Sequence, residues 1–395
     1  MTTVAPLAYS PYDYAIHEDP YPTYARLRGE APVFYNEELD FFAYARHADV
    51  LAAFRDVDHY SNAYGVSLDP AAFGPDAHRA MSFLAMDPPR HTRMRSIVGK
   101  SFTPRRVAAM EDGIRALTLA HLDRALQAGG TFDFIADFAG LLPMDVISEL
   151  VGVPASDRAE IRRLADLLVH REDGMTDIPA EGLEAALTLA GYYADMVADR
   201  RRHERDDLTW SLLQAEIDGD RLTDDEVIGF LFLLVVAGNE TTTKLLGNAW
   251  YWGWRNPDEL AKPLADPARV PDWVEETLRY DTSTQMLVRV TSRPVRVQGV
   301  DIEAGRRILL LLGSANRDED VFSDAERFDL DRRTQDLVSF GSGRHFCMGA
   351  ALARMEARVA LTELAARVRS YEVDPAGIGR VHSINVRGFA ALPTT

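Results

Sequence analysis

The sequence predicts a mainly α-helical fold with a smaller β portion. Segments with apolar residues at helical spacing occupy residues 105–130, which stop at paired glycines, and residues 183–204 and 350–368. A further helical segment, residues 222–254, is unusually long. Helices and strands do not alternate regularly along the chain, and this excludes a doubly wound parallel sheet.

Three separated stretches supply the β portion. Residues 32–45 predict a hairpin, because two aromatic and β-branched runs flank a polar turn. Residues 294–318 show a strand pattern, and the tail 371–392 predicts short strands. We expect the β-rich lobe mainly at about residues 30–60 and 285–312 and in this tail, within one domain spanning residues 1–395.

Composition excludes several classes of protein. The chain has 395 residues, 47% of them hydrophobic, which is enough for a large core. Its single cysteine allows no intrachain disulfide. The start lacks a basic, apolar export signal, and the apolar run Phe230–Gly238 is shorter than the roughly 20 residues of a membrane span. We therefore expect a soluble cytoplasmic protein with no membrane span, and the net charge of −18 argues against nucleic acid as a partner.

One basic segment stands out on this acidic chain. Residues 90–106 carry six Lys or Arg residues and no Asp or Glu. Such a segment is commonly a solvated helix face, and it can also attract an acidic partner.

The long helical segment contains an unusual polar interruption. Thr223 and Glu226 form a capping box at its start, and the run Phe230–Ala237 is apolar on every face, which predicts burial. Gly238, Glu240 and three threonines then interrupt it, and we expect them to deform the helix at this point. The deformation is either a packing kink or a groove for a small ligand beside an acid and an alcohol that pass protons.

Glu276 and Arg279 lie three residues apart in a helical segment. Taken alone, this spacing predicts a weak surface ion pair worth about 0.2–0.5 kcal/mol.

The single cysteine, Cys347, lies in the glycine-rich stretch 340–349 just before a helix predicted to begin near Ala350. The helix N-terminus, close backbone approach at the glycines, and the basic neighbours Arg344 and His345 favour a thiolate. Three interpretations remain open: an inert buried cysteine, a nucleophile paired with His345, and an axial ligand of haem iron.

The motifs together resemble the cytochrome P-450 family. The stretch 340–349 is similar to its haem-binding loop through Phe340, Gly343, His345, Cys347 and Gly349. "AGNETT" at 237–242 and "ETLR" at 276–279 resemble two further family motifs, in the family's order. "DPPRHTRMR" and "SANRDEDVF" resemble soluble bacterial members. The resemblance implies a large helical bundle with a smaller β-rich lobe and haem b buried between the long central helix and the cysteine-loop helix.

The resemblance also implies residue roles. Cys347 would be the axial ligand of the haem iron, and Glu240 with Thr241 the acid–alcohol pair that delivers protons to dioxygen. Ala237 and Gly238 would line the dioxygen groove. Glu276 and Arg279 would support the cysteine loop. The remaining haem contacts would be the propionate-binding residues His91, Arg95, Arg289 and His345, together with Phe340 and Gly349.

The implied activity is that of a monooxygenase, which inserts one atom of O2 into an apolar small molecule. The resemblance implies electrons from a ferredoxin and its reductase, because the sequence shows no flavin or nicotinamide domain. We expect the acidic ferredoxin to dock on a basic patch, which consists of Arg93, Lys100, Arg105, Arg106 and Arg344.

By position in the family, an apolar substrate pocket is expected. Its residues would be Phe73, Phe83, Leu84, Met86, Leu233, Val236, Ala237, Gln285, Met286, Leu287 and Ile384. The sequence departs slightly from the family, which often has Arg at the position of His345 and Leu at the position of Met348. A non-catalytic haem sensor or carrier is an alternative, but it would need no acid–alcohol pair. A cysteine hydrolase with Cys347 as nucleophile and His345 as base is a second alternative, but the sequence shows no evident third catalytic residue to orient the histidine.

Overall fold

The computed structural model describes residues 7–70, 72–127, 131–173, 175–176 and 178–395. Helices dominate it, as the sequence predicts. The α-helices of the described residues are α1 Tyr14–Glu18, α2 Tyr21–Glu30, α3 His47–Arg55, α4 His78–Met81, α5 Arg90–Gly99, α6 Pro104–Ala109, α7 Glu111–Gln127, α8 Leu142–Val151, α9 Arg158–Val169, α10 Ala180–Arg202, α11 Leu208–Gln214, α12 Asp224–Arg255, α13 Pro257–Ala265, α14 Val270–Tyr280, α15 Leu312–Ala315 and α16 Ala350–Arg367. The segment predicted as one helix over 105–130 is divided between α6 and α7, and its glycine stop lies outside the described residues.

The strands form a small β portion. They are β1 Val33–Asn36, β2 Phe41–Tyr44, β3 Tyr60–Ser61, β4 Phe132–Asp133, β5 Glu216–Ile217, β6 Asp220–Arg221, β7 Met286–Thr291, β8 Val295–Val297, β9 Val300–Ile302, β10 Arg307–Leu311, β11 Gly379–Arg380, β12 Phe389–Ala391 and β13 Pro393–Thr394. Five of them form one sheet in the order β1-β2-β10-β7-β3, and the others pair in twos.

The predicted hairpin is confirmed as the antiparallel pair β1 and β2, in which Phe34 lies opposite Ala43. Strand β10 joins β2 in parallel and β7 in antiparallel orientation. The sheet thus brings the two predicted β regions, far apart in sequence, into one lobe. This arrangement holds β7, which carries Leu287 and Arg289, beside the helical core.

Helix α12 runs unbroken for 32 residues through the helical core. Its capping box is confirmed, since the Thr223 side chain accepts from the backbone N–H of Glu226 and the Glu226 side chain accepts from that of Thr223. By length and composition this helix could cross a membrane, but half of its apolar window is buried inside the protein, as expected for a core helix.

The polar interruption leaves α12 helical. The Thr241 hydroxyl donates to the carbonyl of Ala237 at 2.7 Å, one turn back, and Gly238 lies so close to α8 that a Cβ would stand 3.2 Å from Ile147 Cγ1. The prediction that the preceding run is buried on every face is wrong. Phe230 and Val235 are buried, but Ala237 is exposed because its side of the helix borders a cavity.

The Glu276–Arg279 pair lies in the core, and its interpretation as a surface ion pair is therefore wrong. Glu276 is 1% exposed and Arg279 0%, and two Arg279 nitrogens contact the carboxylate at 2.7 and 2.8 Å. Arg279 also donates to the carbonyls of Asn316, Ala325 and Arg327. The guanidinium therefore ties α14 to the irregular chain that follows α15.

We expect Arg279→Met to destabilise the fold by about 3–5 kcal/mol, because it leaves the Glu276 carboxylate buried without its partner. A matched control is Arg163→Met, because Glu160 and Arg163 have the same spacing and order but are more than half exposed. The control should cost less than about 0.5 kcal/mol. Urea unfolding followed by tryptophan fluorescence measures both, and equal losses would contradict the structural role given to Arg279.

Candidate functional site

The cysteine loop is a short, tightly hydrogen-bonded turn that leads into α16. A single 3₁₀ turn covers Gly343–His345, and α16 begins at Ala350, as predicted. The backbone N–H of Cys347 donates to the carbonyl of Phe340 at 2.9 Å, which closes the loop. Gly343 has φ +67°, and a Cβ there would lie 2.9 Å from the carbonyl oxygen of Phe54. Both facts require glycine at this position.

Cys347 borders an apolar cavity of about 240 Å³ that lies between the cysteine loop and α12. The α12 residues on this wall follow helical spacing, and they are Phe230, Leu233, Leu234, Ala237, Gly238, Thr241, Thr242 and Leu245. The fold therefore brings the single thiol and the polar interruption of α12, more than 100 positions apart in sequence, to one cavity.

The groups around the Cys347 thiol shift its pKa in opposite directions. The side chain has accessible surface because it faces the cavity, but protein packs around the rest of it, and this burial raises the pKa of the Cys347 thiol. Backbone N–H groups of Gly349 and Ala350 and the charges of Arg95 and Arg354 lower that pKa and favour the thiolate.

The expectation that His345 favours the thiolate through a positive charge is wrong, whereas Arg344 is exposed to solvent, which screens its charge. Burial, together with the charge of Arg289, lowers the pKa of His345 to about 2, so this ring is neutral at pH 7. The positive charges that act on the sulfur come instead from α5 and α16.

Polar groups without partners cluster at one edge of the cavity. The rings of His91 and His345 lie 4.0 Å apart, and the nitrogens of both rings are buried without a hydrogen-bond partner. Burial lowers the pKa of His91 to about 4, so it too is neutral at pH 7. Arg289 is 2% exposed and donates to the carbonyl of its own neighbour, Val288.

Burying such groups is costly unless something accepts their hydrogen bonds. Arg95 completes the set and reaches across to the carbonyl of Phe346 at 2.6 Å. Two carboxylates placed at this edge would satisfy both guanidiniums and both rings. The donor set therefore fits a ligand that carries paired carboxylates.

Glu240 and Thr241 point to different sides of α12. Thr241 lines the cysteine cavity, whereas Glu240 lines a second cavity and is 2% exposed. Lys244 Nζ lies 3.1 Å from Glu240 Oε2 and is itself buried. An acid on one side of the helix thus adjoins an alcohol on the other.

Comparison with known proteins identifies the family. The family model described as "Cytochrome P450" matches residues 270–393. A Mycobacterium tuberculosis protein assigned to this family by its name, as cytochrome P450 123, is 57% identical over 98% of this chain and 96% of its own length. The chain belongs to the cytochrome P450 family. The crystal structure of CYP109Q5 from Chondromyces apiculatus, 35% identical, covers 97% of both chains with a TM-score of 0.88. That of CYP109E1 from Bacillus megaterium with corticosterone is 30% identical, covers 96% of this chain and 99% of that one, and has a TM-score of 0.85.

The protein is accordingly a P450 monooxygenase with the P450 fold. Family members carry haem bound through a cysteine thiolate and use dioxygen. The chain fits such a group on its own evidence, because one thiol borders the apolar cavity and the unpartnered donors at its edge suit the haem's two carboxylates.

Of the residues expected in the P450 substrate pocket, the cavity wall includes Phe83, Leu84, Leu233, Ala237 and Leu287. The structure corrects the remaining positions. Met86 and Met286 pack in hydrophobic cores, and the half-buried Phe73 stacks on Tyr64. Val236 is not part of the cavity wall. Gln285 and Ile384 line a separate cavity of about 20 Å³ beside the N-terminal segment.

Several wall residues escaped sequence reasoning. Four of them come from elements distant from the motifs, and these are Phe54, Phe102, Ile147 and Leu278. Two others, Phe230 and Leu245, lie on α12 itself, one or more turns away from the polar interruption. Glu356 of α16 was also missed: it is 2% exposed and borders the cavity, one of its oxygens has no partner, and burial raises its pKa. The sequence does contain a signal for Glu356, because an ionisable residue stands on the apolar side of α16 nine positions after Cys347.

Two residues of the expected basic patch already bind other groups of the protein. Arg93 binds Asp220 at 2.5 and 2.8 Å and Glu226 at 2.7 Å, so its charge is neutralised. Lys100 donates to the carbonyl of Glu216. The other members of the expected patch, Arg105, Arg106 and Arg344, are exposed.

We expect Gly343→Ala to destabilise the protein by about 1–3 kcal/mol, because the new Cβ meets both a positive φ and the carbonyl of Phe54. Gly113→Ala in α7 is the control. Its Cβ would meet nothing within 4 Å, and the change should stabilise the helix by about 0.5–1 kcal/mol. Urea unfolding measures both, and effects of the same sign would contradict this account of the loop.

Proposed function

We propose that Cys347 would bind, as a thiolate, the iron of a haem held in the cavity between α12 and the cysteine loop. The observation that carries this is the position of the chain's single thiol on the wall of an apolar cavity whose other side is α12. Arg95 and Arg354 supply the positive charge that offsets the burial of the thiolate. When bound, the haem activates dioxygen, and one oxygen atom enters the substrate while the other leaves as water.

His91, Arg95, Arg289 and His345 would hold the haem propionates. Support comes from the unpartnered ring nitrogens of His91 and His345 and from the planar donor forks of the two guanidiniums. Burial lowers the pKa of Arg289 to about 10, and a carboxylate at its side would compensate the buried charge.

Thr241 and Glu240 would move protons toward the reacting oxygen. The Thr241 hydroxyl borders the cavity and donates to the Ala237 carbonyl, so it can turn to another acceptor at the cost of one hydrogen bond. Glu240 is the nearest acid in sequence and is held by Lys244. Glu240 borders the second cavity, whereas Thr241 borders the apolar cavity. The acid that supplies the proton is therefore separated from the apolar wall, and this wall keeps bulk water away from the substrate.

The substrate would be an apolar molecule of moderate size. The wall near Thr241 offers Phe83, Leu84, Leu233 and Ile147, none of which carries a charge. The CYP109E1 structures with corticosterone and testosterone show that a protein of similar fold binds steroids. A steroid or a similarly apolar ring system is therefore the first class to test.

Electrons would come from a ferredoxin and its reductase, with the enzyme in the cytoplasm. The docking patch would consist of Arg105, Arg106 and Arg344, which are exposed, with Lys100 at its edge. Arg93 is excluded from it, because two carboxylates already bind its guanidinium.

We expect Cys347→Ala to abolish the red-shifted absorbance band that the reduced, carbon monoxide-treated protein gives through a thiolate ligand. Met348→Leu, at the next position in the same loop, should keep the band and controls for damage to the loop. Absorbance spectra of both purified variants are the measurement. A Cys347→Ala protein with an unchanged band would exclude this sulfur as the ligand.

We expect Thr241→Ala to raise severalfold the share of electrons that leave as hydrogen peroxide, because the hydroxyl that passes the proton is lost. Thr241→Ser keeps that hydroxyl and should remain near the wild-type share. The assay compares peroxide released with NADH consumed in a system reconstituted with ferredoxin and reductase. Equal shares in all three proteins would contradict a proton role for this side chain.

A further inference from the structure

Helix α10, Ala180–Arg202, carries an apolar stripe on the side that faces solvent. Leu187 is 70% exposed and Leu183 53%, and these are the two largest exposures among the large apolar side chains of the described residues. The two leucines lie four positions apart and therefore on one side of the helix. Single exposed leucines are ordinary on a protein surface, but a contiguous apolar stripe indicates an interaction surface.

The stripe continues with small residues in the second half of the helix. Gly191 and Ala198 are exposed, and Ala194 between them is half-buried. Because successive residues of a helix turn by about 100°, these three positions lie on the same side as the two leucines. The stripe therefore has large side chains in its first half and small ones in its second half. Such a surface is complementary to a second copy of itself that runs in the opposite direction.

Gly191 stands at the centre of this 23-residue helix, where glycine is less stable than alanine. Packing inside the protein does not require it, because a Cβ at this position would meet no atom of the described residues within 4 Å. Gly182 of the same helix differs, since a Cβ there would lie 2.9 Å from the carbonyl oxygen of Leu167. A glycine on the outer side of a helix lets the backbone of another helix approach closely.

The two ends of α10 carry opposite charges. Glu181 and Glu184 are exposed near its start, and Arg201 and Arg202 are exposed at its end. Arg201 binds Asp224 at 2.5 Å, whereas Arg202 forms no ion pair with the described residues. An antiparallel second copy places the acidic end of each helix beside the basic end of the other, and a parallel copy would bring like charges together.

We propose that α10 is the contact surface between two copies of this chain, which pack antiparallel about a two-fold axis near Gly191. In this arrangement Leu187 of each copy lies between Ala194 and Ala198 of the other, and Glu181 lies beside Arg202 of the other. The interface is isologous, so every contact occurs twice. One pair of helices is small for a stable interface, and the dimer therefore forms at micromolar rather than nanomolar concentrations.

Sedimentation velocity of the purified holoenzyme across the micromolar range measures the dimer. We expect Leu187→Ala to weaken dimerisation by about tenfold or more, because two leucines lose their burial. Leu126→Ala, which truncates an exposed leucine of α7, should dimerise like the wild type. Gly191→Gln should weaken the dimer by a similar factor. Its thermal unfolding temperature should nevertheless equal or exceed that of the wild type, because glutamine favours a helix more than glycine does.

Charge reversal tests the antiparallel direction. Glu181→Arg should weaken the dimer severalfold, because it brings like charges together at both ends of the helix pair. Combined with Arg202→Glu, it should restore the wild-type affinity, because the attraction is recovered with the two signs exchanged. The same sedimentation measurement reports both variants.

Disulfide formation tests the position of the axis, because only a residue near a two-fold axis meets its own copy. Under mild oxidation Gly191→Cys should form a covalent dimer, which a denaturing gel without reductant shows. Glu181→Cys, which faces the other end of the second helix, should stay monomeric on the same gel. The wild type, whose single thiol is Cys347, is the blank.

Three results would overturn the proposal. The first is a wild-type protein that sediments as a monomer throughout the micromolar range. The second is a dimer that neither Leu187→Ala nor Gly191→Gln weakens. The third is a monomer that binds phosphatidylcholine vesicles through Leu187, since this would assign the apolar stripe to a lipid surface.

Discussion

The buried ion pair between Glu276 and Arg279 is the constraint on which the site depends. Arg279 binds the carbonyl of Asn316, and the Asn316 side chain in turn donates to Ser339 at 2.7 Å and accepts from the backbone N–H of Val338. Ser339 adjoins the cysteine loop. Through this chain of contacts, a charge pair within α14 determines where the loop begins, and the desolvation cost of the pair is met by carbonyl acceptors and backbone donors.

Helix α12 acts as a wall between an apolar cavity and a polar one. Successive residues of a helix point about 100° apart, so Thr241 and Glu240 border different cavities although they are neighbours in sequence. The arrangement keeps ionisable groups away from an apolar ligand and still places an acid next to the alcohol. The thiol is also subject to two opposing effects, since burial opposes its ionisation and the guanidiniums of Arg95 and Arg354 favour it.

The local sequence pattern predicted the helices and strands well. The hairpin at 33–44, the capping box of α12 and the start of α16 depend on residues a few positions apart, so their physics is present in the sequence. Burial was predicted poorly. The spacing of Glu276 and Arg279 also occurs in the exposed pair of Glu160 and Arg163, and only the surrounding chain distinguishes the two. Arg93 looked free because its partners, Asp220 and Glu226, lie more than 120 positions away.

The sequence by itself determined which groups are available, namely one thiol and an acid–alcohol pair in a long apolar helix. It also determined the order of motifs that identifies the family. The tertiary structure alone decided which of them meet. Apolar residues such as Met86 and Met286 carry the same pattern whether they line a cavity or fill a core, because hydrophobic burial has no direction. Packing between distant elements therefore selected the cavity wall, left the ring nitrogens of His91 and His345 unpartnered at its edge, and placed Glu240 on the wall of a second cavity.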